Sequence, residues 1–246
     1  MDSSMILWIA LLMGLAAALY STVGHGGASA YLAIMALFAV APETMRPTAL
    51  ALNLIVAGLA GWRYGRAGQT NFRLLAAFAV TAAPAAFVGG GISLAPDLYR
   101  PLVGLLLWAA AARMLWRPPR LARREIRPPP LALALPAGAG LGLLAGLTGT
   151  GGGIFLSPLV ILLGWADARR TSGVVAAFIF LNSLAGLAGN LASVRSLPAE
   201  LPLLVGAVAA GALVGTWLGA GLLPKARLLQ GLALVLFVAG TKLVFA

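Results

Sequence analysis

Long runs of apolar residues, separated by short polar stretches, cover almost all of this chain. Ten such segments are recognisable, five on each side of a basic, proline-rich stretch near the middle. Their approximate bounds are residues 5–23, 27–41, 47–62, 74–92, 98–116, 131–148, 153–166, 173–194, 201–222 and 227–245. The runs are continuous, whereas the strands of a transmembrane β-barrel would alternate apolar and polar positions. The pattern therefore predicts an all-α polytopic membrane protein.

The basic stretch in the middle divides the chain into two halves. Residues 1–116 form the first predicted transmembrane repeat, residues 117–130 a linker, and residues 131–246 the second repeat. The linker contains five prolines, so it cannot be helical throughout.

Sequence matches relate the two halves. Gly24–Gly27 resembles Gly149–Gly152, 125 positions later, and Ala57–Gly61 recurs identically as Ala185–Gly189, 128 positions later. Because each half has an odd number of segments, the halves are predicted to have opposite orientations in the membrane. Inverted repeats of this kind are typical of secondary transporters, whose site lies at the interface between the repeats.

Each half carries one glycine cluster between two apolar segments, Gly24–Gly27 in the first and Gly149–Gly153 in the second. Glycine costs about 1 kcal/mol in a helix interior relative to alanine, so both clusters predict breaks between helices. Such breaks leave backbone N–H groups bare, which suits a bound anion. The alternative interpretation is close helix packing through small residues.

The apolar segments that follow the two clusters are short. A helix of about 15 residues spans about 22 Å, less than the roughly 30 Å of a hydrocarbon core. Short or re-entrant helices at the glycine-rich turns are therefore expected, with the turns inside the membrane.

Composition supports the membrane assignment and limits the function classes. The chain is 61% hydrophobic and 9% charged, which is too few charges for the surface of a soluble domain of 246 residues. The net charge of +11 is explained by arginines at membrane borders, so nucleic acid is not an expected partner. The absence of cysteine excludes disulfides and thiolate chemistry.

The distribution of cations predicts the orientation. If the basic linker is cytoplasmic and every segment reverses the chain, 13 of the 17 Lys and Arg residues lie on the cytoplasmic side. Both termini are then external, and the expected location is the cell inner (plasma) membrane.

Acidic residues are missing from the middle of every segment. All six Asp and Glu residues lie at predicted segment ends or in loops. A carboxylate proton relay or cation site in the membrane is therefore not expected, and a neutral or anionic substrate is favoured.

A few polar residues within or beside the apolar segments are candidates for the site. His25, the single histidine, lies in the first glycine cluster, and its ordinary pKa of about 6.5 suits proton coupling or an anion contact. The alternative is a neutral histidine at a turn. Asn53 and Asn182 occupy similar places in the two halves. Their amides need partners in a bilayer, either the substrate or a neighbouring helix.

Two arginines precede these asparagines along the chain. Arg46 and Arg170 lie near the starts of the segments that contain Asn53 and Asn182. Either guanidinium could attract an anion, or it could be a border residue whose head group reaches the lipid interface. Thr150 adds a hydroxyl to the second cluster. Phosphate loops, nucleophile–base pairs and metal-ligand clusters are absent from the sequence, so neither an enzyme nor a cofactor or metal site is expected.

The second glycine cluster and the residues after it resemble a known signature. Gly149–Leu159, followed by Thr171-Ser172 and Asn182, is similar to the repeated motif of the sulfite exporter TauE/SafE family of membrane permeases. The first half departs from that motif, with Ala28 in place of the last clustered glycine and Ala33 in place of the proline. The resemblance covers nearly the whole chain.

The resemblance implies a secondary transporter that exports or exchanges a small organic or sulfur-containing anion, such as sulfite or a sulfonate, by alternating access. Two alternatives stay open, a passive anion channel and a membrane-embedded subunit of a larger assembly. The expected partners are the anion and the lipid bilayer, with a homodimer as an open option. The predicted substrate site consists of both glycine clusters, the two asparagines and the two arginines: Gly24, His25, Gly26, Gly27, Arg46, Asn53, Gly149, Thr150, Gly151, Gly152, Gly153, Arg170 and Asn182.

Overall fold

Helices make up most of the protein in the computed structural model, which describes residues 3–22, 24–115, 126–218 and 225–245. The α-helices in these ranges are α1 Ser3–Ser21, α2 Ala28–Leu37, α3 Pro42–Arg66, α4 Phe72–Gly91, α5 Pro96–Leu115, α6 Leu131–Thr148, α7 Gly153–Leu162, α8 Ala168–Gly189, α9 Leu201–Leu218 and α10 Lys225–Phe245. A 3₁₀ helix, Leu191–Ser196, follows α8. The predicted all-α class is confirmed, and residues 117–125 of the predicted linker lie outside the described ranges.

Several helices are long and apolar enough to cross a membrane. Within the described ranges, α1, α4, α5, α6 and α8 contain such spans of 18 to 21 residues. The helices α2 and α7 have only 10 residues each, or about 15 Å, which is half of a hydrocarbon core. The chain is therefore a multi-pass membrane protein that contains two short helices, one after each glycine cluster.

The two short helices end earlier than the hydrophobic pattern predicted. The pattern gave 27–41 and 153–166, whereas the helices end at Leu37 and Leu162. Each is followed by a turn that includes a residue with positive φ, 54° at Ala39 and 71° at Gly164. Such a turn interrupts the helical hydrogen bonds even though the residues around it are apolar. Hydrophobicity alone could not locate these ends.

Polar caps and proline define the starts of three other helices. The Asn71 side chain accepts a hydrogen bond from Leu74 N at 3.1 Å, and Asp167 accepts one from Arg170 N at 2.9 Å. Both satisfy a backbone donor in the first turn of a helix, α4 and α8 respectively. Helix α3 begins at Pro42, five residues before its predicted start, because proline fits a first helical turn without losing a hydrogen bond.

Helices α1 and α9, which come from different halves, pack through small residues. If Gly211 carried the methyl group of an alanine, that group would overlap the carbonyl oxygen of Gly14. A methyl group added at Gly215 would likewise overlap the carbonyl oxygen of Ala18. Both contacts advance by four residues in the same direction, so α1 and α9 are parallel. Such close approach of two backbones needs glycine.

Helices α4 and α6 pack against each other in the same way as α1 and α9. A methyl group at Gly138 would overlap the carbonyl oxygen of Phe78, and one at Gly142 would overlap that of Ala82. These helices are also parallel, and they also come from different halves. In the predicted repeat, α1 corresponds to α6 and α9 corresponds to α4. The α1–α9 pair of helices is therefore the counterpart of the α6–α4 pair.

Helices α3 and α8 cross at the centre of the described structure. A methyl group at Gly58 would lie 3.4 Å from the Phe180 ring, and one at Gly61 would lie 3.7 Å from Ala177 N. The contacts move in opposite directions along the two helices, which are therefore antiparallel. Each of these helices carries one of the asparagines considered above.

Candidate functional site

Both glycine clusters form loops that only glycine adopts readily. In the first loop φ is 77° at Gly24 and 94° at Gly27, and in the second it is 85° at Gly149, 72° at Gly151 and 75° at Gly152. These values lie in the left-handed region, where a side chain is strained. The first loop joins α1 to α2, and the second joins α6 to α7. The glycines therefore determine where the short helices begin.

The two loops meet on opposite sides of one asparagine. Asn53 is completely buried in the middle of α3. A methyl group at Gly26 would overlap Asn53 Oδ1, and one at Gly151 would lie 2.7 Å from Asn53 Nδ2. The same two methyl groups would lie 3.1 and 2.9 Å from Ile179 Cγ2 on α8. Both loops therefore lie against the same two side chains, Asn53 from the first half and Ile179 from the second.

The amides at this centre have no hydrogen-bond partner. The amide oxygen and nitrogen of both Asn53 and Asn182 are buried and unpaired within the described part of the chain. So are the hydroxyl groups of Thr48 and Ser183. An unsatisfied buried polar group costs about 1–3 kcal/mol, so this cluster requires an explanation. A ligand that binds here would supply the missing partners.

Residues on one face of α8 point toward this region. Ile179 contacts both loops, and positions three and four residues later share its face of a helix. Those positions are Asn182 and Ser183. The face therefore carries one apolar contact and two unpartnered polar side chains, all of them 2% exposed or less.

The second loop contains bare backbone donors. The N–H groups of Gly151, Gly152 and Gly153 have no hydrogen-bond acceptor among the described residues. The first N–H groups of any helix lack an acceptor within that helix, and α7 begins at Gly153. The helix dipole adds partial positive charge at this end. The second loop can therefore hold an anion without a cationic side chain.

Aromatic side chains brace the first loop. The backbone N–H of His25 donates to the Tyr20 carbonyl at 3.0 Å, and the two rings meet edge to face, with centroids 6.4 Å apart. The Tyr20 hydroxyl is 2.6 Å from Ser29 Oγ. The buried Tyr31 hydroxyl donates to the Gly26 carbonyl at 2.8 Å. His25 therefore lies at the edge of the loop and contacts α1.

Threonines and one tyrosine brace the second loop. The hydroxyl groups of Thr148 and Thr150 are 3.1 Å apart, and both side chains are buried. The Tyr99 hydroxyl of α5 donates to the Thr148 carbonyl at 3.1 Å. Thr150 therefore supports the loop through Thr148.

The two predicted arginines have different surroundings. Arg46 is 7% exposed and donates to the carbonyl oxygens of Gly90 and Ile92 at the end of α4, the latter at 2.7 Å. Its backbone touches the second loop, because a methyl group at Gly149 would lie 3.0 Å from Arg46 O. Arg170 has a side chain that is 58% exposed and lies 3.7 Å from Asp167. The structure thus brings Arg46, and not Arg170, against a loop.

A cavity of about 310 Å³ lies on the side of the protein where α3 begins and α4 ends. Its lining includes Glu43, Arg46, Tyr99, Asn190, Ser193 and Ser196. Arg46 also contacts Gly149 of the second loop, and Tyr99 contacts Thr148 just before it, so these two lining residues connect the cavity to that loop.

The opposite side of the protein is packed. A methyl group at Gly173 would lie 2.8 Å from both Gln69 O and Thr70 Oγ1, and one at Gly24 would lie 2.6 Å from Ser172 O. The Tyr64 hydroxyl also hydrogen-bonds with the Ser172 side chain. The start of α8 therefore presses against the first loop and against the turn between α3 and α4.

Some residues of this centre were not singled out from the sequence. Ser183 and Ile179 belong to it because of where α3 and α8 cross. The available signal was a polar residue within an apolar helix, which Ser183 provides directly after Asn182. Tyr31 and Tyr99 had no comparable signal, because tyrosine is common in apolar segments.

Comparison with known proteins shows the family of this chain. The family described as "Sulfite exporter TauE/SafE" matches residues 9–243. The chain belongs to the sulfite exporter TauE/SafE family. Within the curated proteins, the probable membrane transporter protein y4hK of Sinorhizobium fredii is 38% identical over 229 residues, which cover 92% of this chain and 93% of that relative. No solved structure matches this chain. Its membership of the TauE/SafE family makes this protein a membrane transporter.

Proposed function

We propose that this transporter moves a small organic or sulfur-containing anion, such as sulfite or a sulfonate. The observation that carries the proposal is the buried, unpartnered Asn53 amide between two glycine loops. An anion among the bare N–H groups of the loops would pair with the amide nitrogens of Asn53 and Asn182. Hydrogen bonds to a charged partner are worth about 1.5–3 kcal/mol each, enough to compensate for the buried amides.

Charge around the loops supports an anion. The nearest atoms to a methyl group at Gly26 or at Gly151 belong to Asn53, Ile179 and Ser183, none of which is acidic. The cavity beside the second loop exposes part of Arg46, whose fixed positive charge would draw an anion toward Gly149. Glu43 lies at the same cavity and limits that attraction.

Alternating access is the mechanism we propose. The correspondence of the α1–α9 and α4–α6 pairs supports two related halves, and the odd number of segments in each half supports opposite orientations. Relative movement of the halves would open the centre to the cavity side and to the packed side in turn. With the linker in the cytoplasm, the cavity faces outward.

Orientation follows from the cation distribution and can be measured. We place the protein in the inner (plasma) membrane with both termini external. The chain has no native cysteine. In right-side-out vesicles, Ala199→Cys should react with a membrane-impermeant maleimide, while Ala67→Cys should react only after permeabilisation. The reverse result would invert the proposed orientation.

Flux through the purified protein tests the proposed function. Proteoliposomes would be offered sulfite, sulfoacetate, thiosulfate and acetate, each labelled. We expect saturable uptake of at least one, and exchange against an internal anion. Non-saturable flux would favour the passive channel. Absence of flux for all four anions would reject the proposal and favour a subunit role.

Substitution of Asn53 links that flux to the site. Asn53→Leu keeps the approximate shape of the side chain but removes the amide, so uptake should be lost without a lower Tm. Asn71→Ala is the control, because its side chain caps α4; it should lose about 1 kcal/mol of stability and retain uptake. Normal uptake by Asn53→Leu would remove Asn53 from the site.

His25 is the proposed proton-coupling group. It is the single histidine and lies in the first loop beside Tyr20. Histidine is the side chain that most readily changes its charge near neutral pH, so uptake by the native protein should depend on pH. His25→Gln should remove that dependence while uptake continues. An unchanged pH profile would exclude His25 from coupling.

A further inference from the structure

The two glycine loops differ in the side chains that lie against them. At the first loop, Tyr31 fills the space beside Gly27 and donates a hydrogen bond to the Gly26 carbonyl. The corresponding residue of the second half, counted from the starts of α2 and α7, is Leu156, which has no hydroxyl.

At the second loop, an unpartnered hydroxyl takes the place of that internal hydrogen bond. Ser183 Oγ would lie 3.5 Å from a methyl group at Gly151, whose two nearer neighbours are Asn53 Nδ2 at 2.7 Å and Ile179 Cγ2 at 2.9 Å. Ser183 is completely buried, and its hydroxyl has no partner within the described residues. If Asn53 and Asn182 correspond, the counterpart of Ser183 in α3 is Leu54. The first half therefore has no equivalent donor.

The Ser183 hydroxyl lacks a bond that several helical hydroxyls of this protein make. Serine and threonine in helices commonly donate to the carbonyl three or four residues earlier. Helical hydroxyls that do so here are those of Ser21, Thr81, Thr148, Thr171, Thr216 and Thr241. Ser183 does not make this bond, so its hydroxyl remains available to a ligand at Gly151.

We propose that the second loop alone holds the negatively charged group of the substrate, with Ser183 as a hydrogen-bond donor. The N–H groups of Gly151, Gly152 and Gly153 surround the oxyanion, and Ser183 Oγ and Asn53 Nδ2 complete its hydrogen bonds. The first loop, already occupied by Tyr31, forms the opposite wall. This inference rests on the proposed anion transport and assigns unequal roles to loops that look equivalent in sequence.

Two serine substitutions with opposite consequences test the inference. Ser183→Ala removes a donor to a charged group, so the KM for sulfite or sulfoacetate should rise about tenfold or more. Because the lost hydroxyl had no partner, the Tm without anion should stay the same or rise. Ser29→Ala is the matched control, since its hydroxyl pairs with Tyr20. It should lower the Tm and leave the KM within about twofold.

The possible outcomes distinguish failure of this inference from failure of the proposed function. Uptake by Ser183→Ala with an unchanged KM rejects the role of Ser183 and leaves the transporter assignment intact. A lower Tm with an unchanged KM would make Ser183 structural and also rejects it. Absence of uptake by the native protein rejects the proposed function and this inference together. If Ser183→Ala does not reconstitute, Ser183→Cys, a weaker donor of similar shape, should show the increase in KM.

Discussion

Glycine at position 151 has two separate roles, and each can be removed independently. Its φ of 72° needs a residue without a side chain, and its Cα faces Asn53 with no room for a methyl group. Gly68 has a similar φ of 67° in the turn between α3 and α4, but nothing lies within 4 Å of its missing side chain. Substitution of these two glycines therefore distinguishes the effect of backbone strain from the effect of a methyl group that fills the space beside Asn53.

Gly151→Ala should therefore abolish uptake, whereas Gly68→Ala should not. Both variants force alanine into the left-handed region, at about 1–2 kcal/mol, so both should lower the Tm. Only Gly151→Ala also pushes a methyl group into Asn53 and Ile179. Uptake and thermal unfolding in detergent measure the two effects. Equal loss of uptake in both variants would mean that strain, not occupation, explains the defect.

Sequence patterns located some of these residues and missed others for physical reasons. The loops and asparagines stood out because glycine clusters and amides are rare inside apolar segments. Arg46 and Arg170 looked equivalent in sequence, yet Asp167 lies next to Arg170, and the carbonyls that end α4 hold Arg46 inside. That difference depends on a helix distant along the chain. The proposed role of Ser183 depends on the absence of a hydrogen-bond partner for its hydroxyl, which a sequence pattern does not reveal.

Among whole helices, small residues determine how closely neighbours from different halves approach. In α6, a methyl group at Gly142 would overlap the carbonyl of Ala82 on α4, whereas one at Gly140, on the exposed face, would meet nothing within 4 Å. Close packing through glycine, which was the alternative interpretation of the two clusters, is thus found within α6, whereas most cluster glycines lie in loops with positive φ. The sequence could not separate the two uses, because that requires knowing which face meets a neighbour.

Alanine at these two positions of α6 should have opposite effects on stability. Gly142→Ala must push α4 and α6 apart and should cost about 1–3 kcal/mol. Gly140→Ala should add about 0.5–1 kcal/mol by restricting the unfolded chain. Thermal unfolding of the two purified variants is the measurement. Destabilisation by Gly140→Ala would indicate a contact on that face, such as a second copy of the chain in a homodimer.

For the molecule as a whole, the cavity side and the packed side of the central loops are not equivalent. The cavity lies on the side of Arg46 and Tyr99, while Ser172, Gly173 and Thr70 are packed on the other side. The number of helices and the two short helices followed from hydrophobic patterns. Which side is closed could not be predicted, because both sides are built from similar turns and the difference is a few side-chain contacts.

A reversible cross-link across the packed side distinguishes alternating access from a static pore. Gly173 and Thr70 are adjacent, with a methyl group at Gly173 only 2.8 Å from Thr70 Oγ1, and the chain has no native cysteine. The double variant Thr70→Cys, Gly173→Cys should form a disulfide on oxidation and hold this side shut. Alternating access requires this side to open in every cycle, so uptake should stop and return after reduction. Because a side chain at position 173 would already press on Gln69 O, the control is the same double variant before oxidation, which should show uptake. Continued uptake by the oxidised pair, with the disulfide verified by mass spectrometry, would show that the anion does not pass between α8 and the α3–α4 turn.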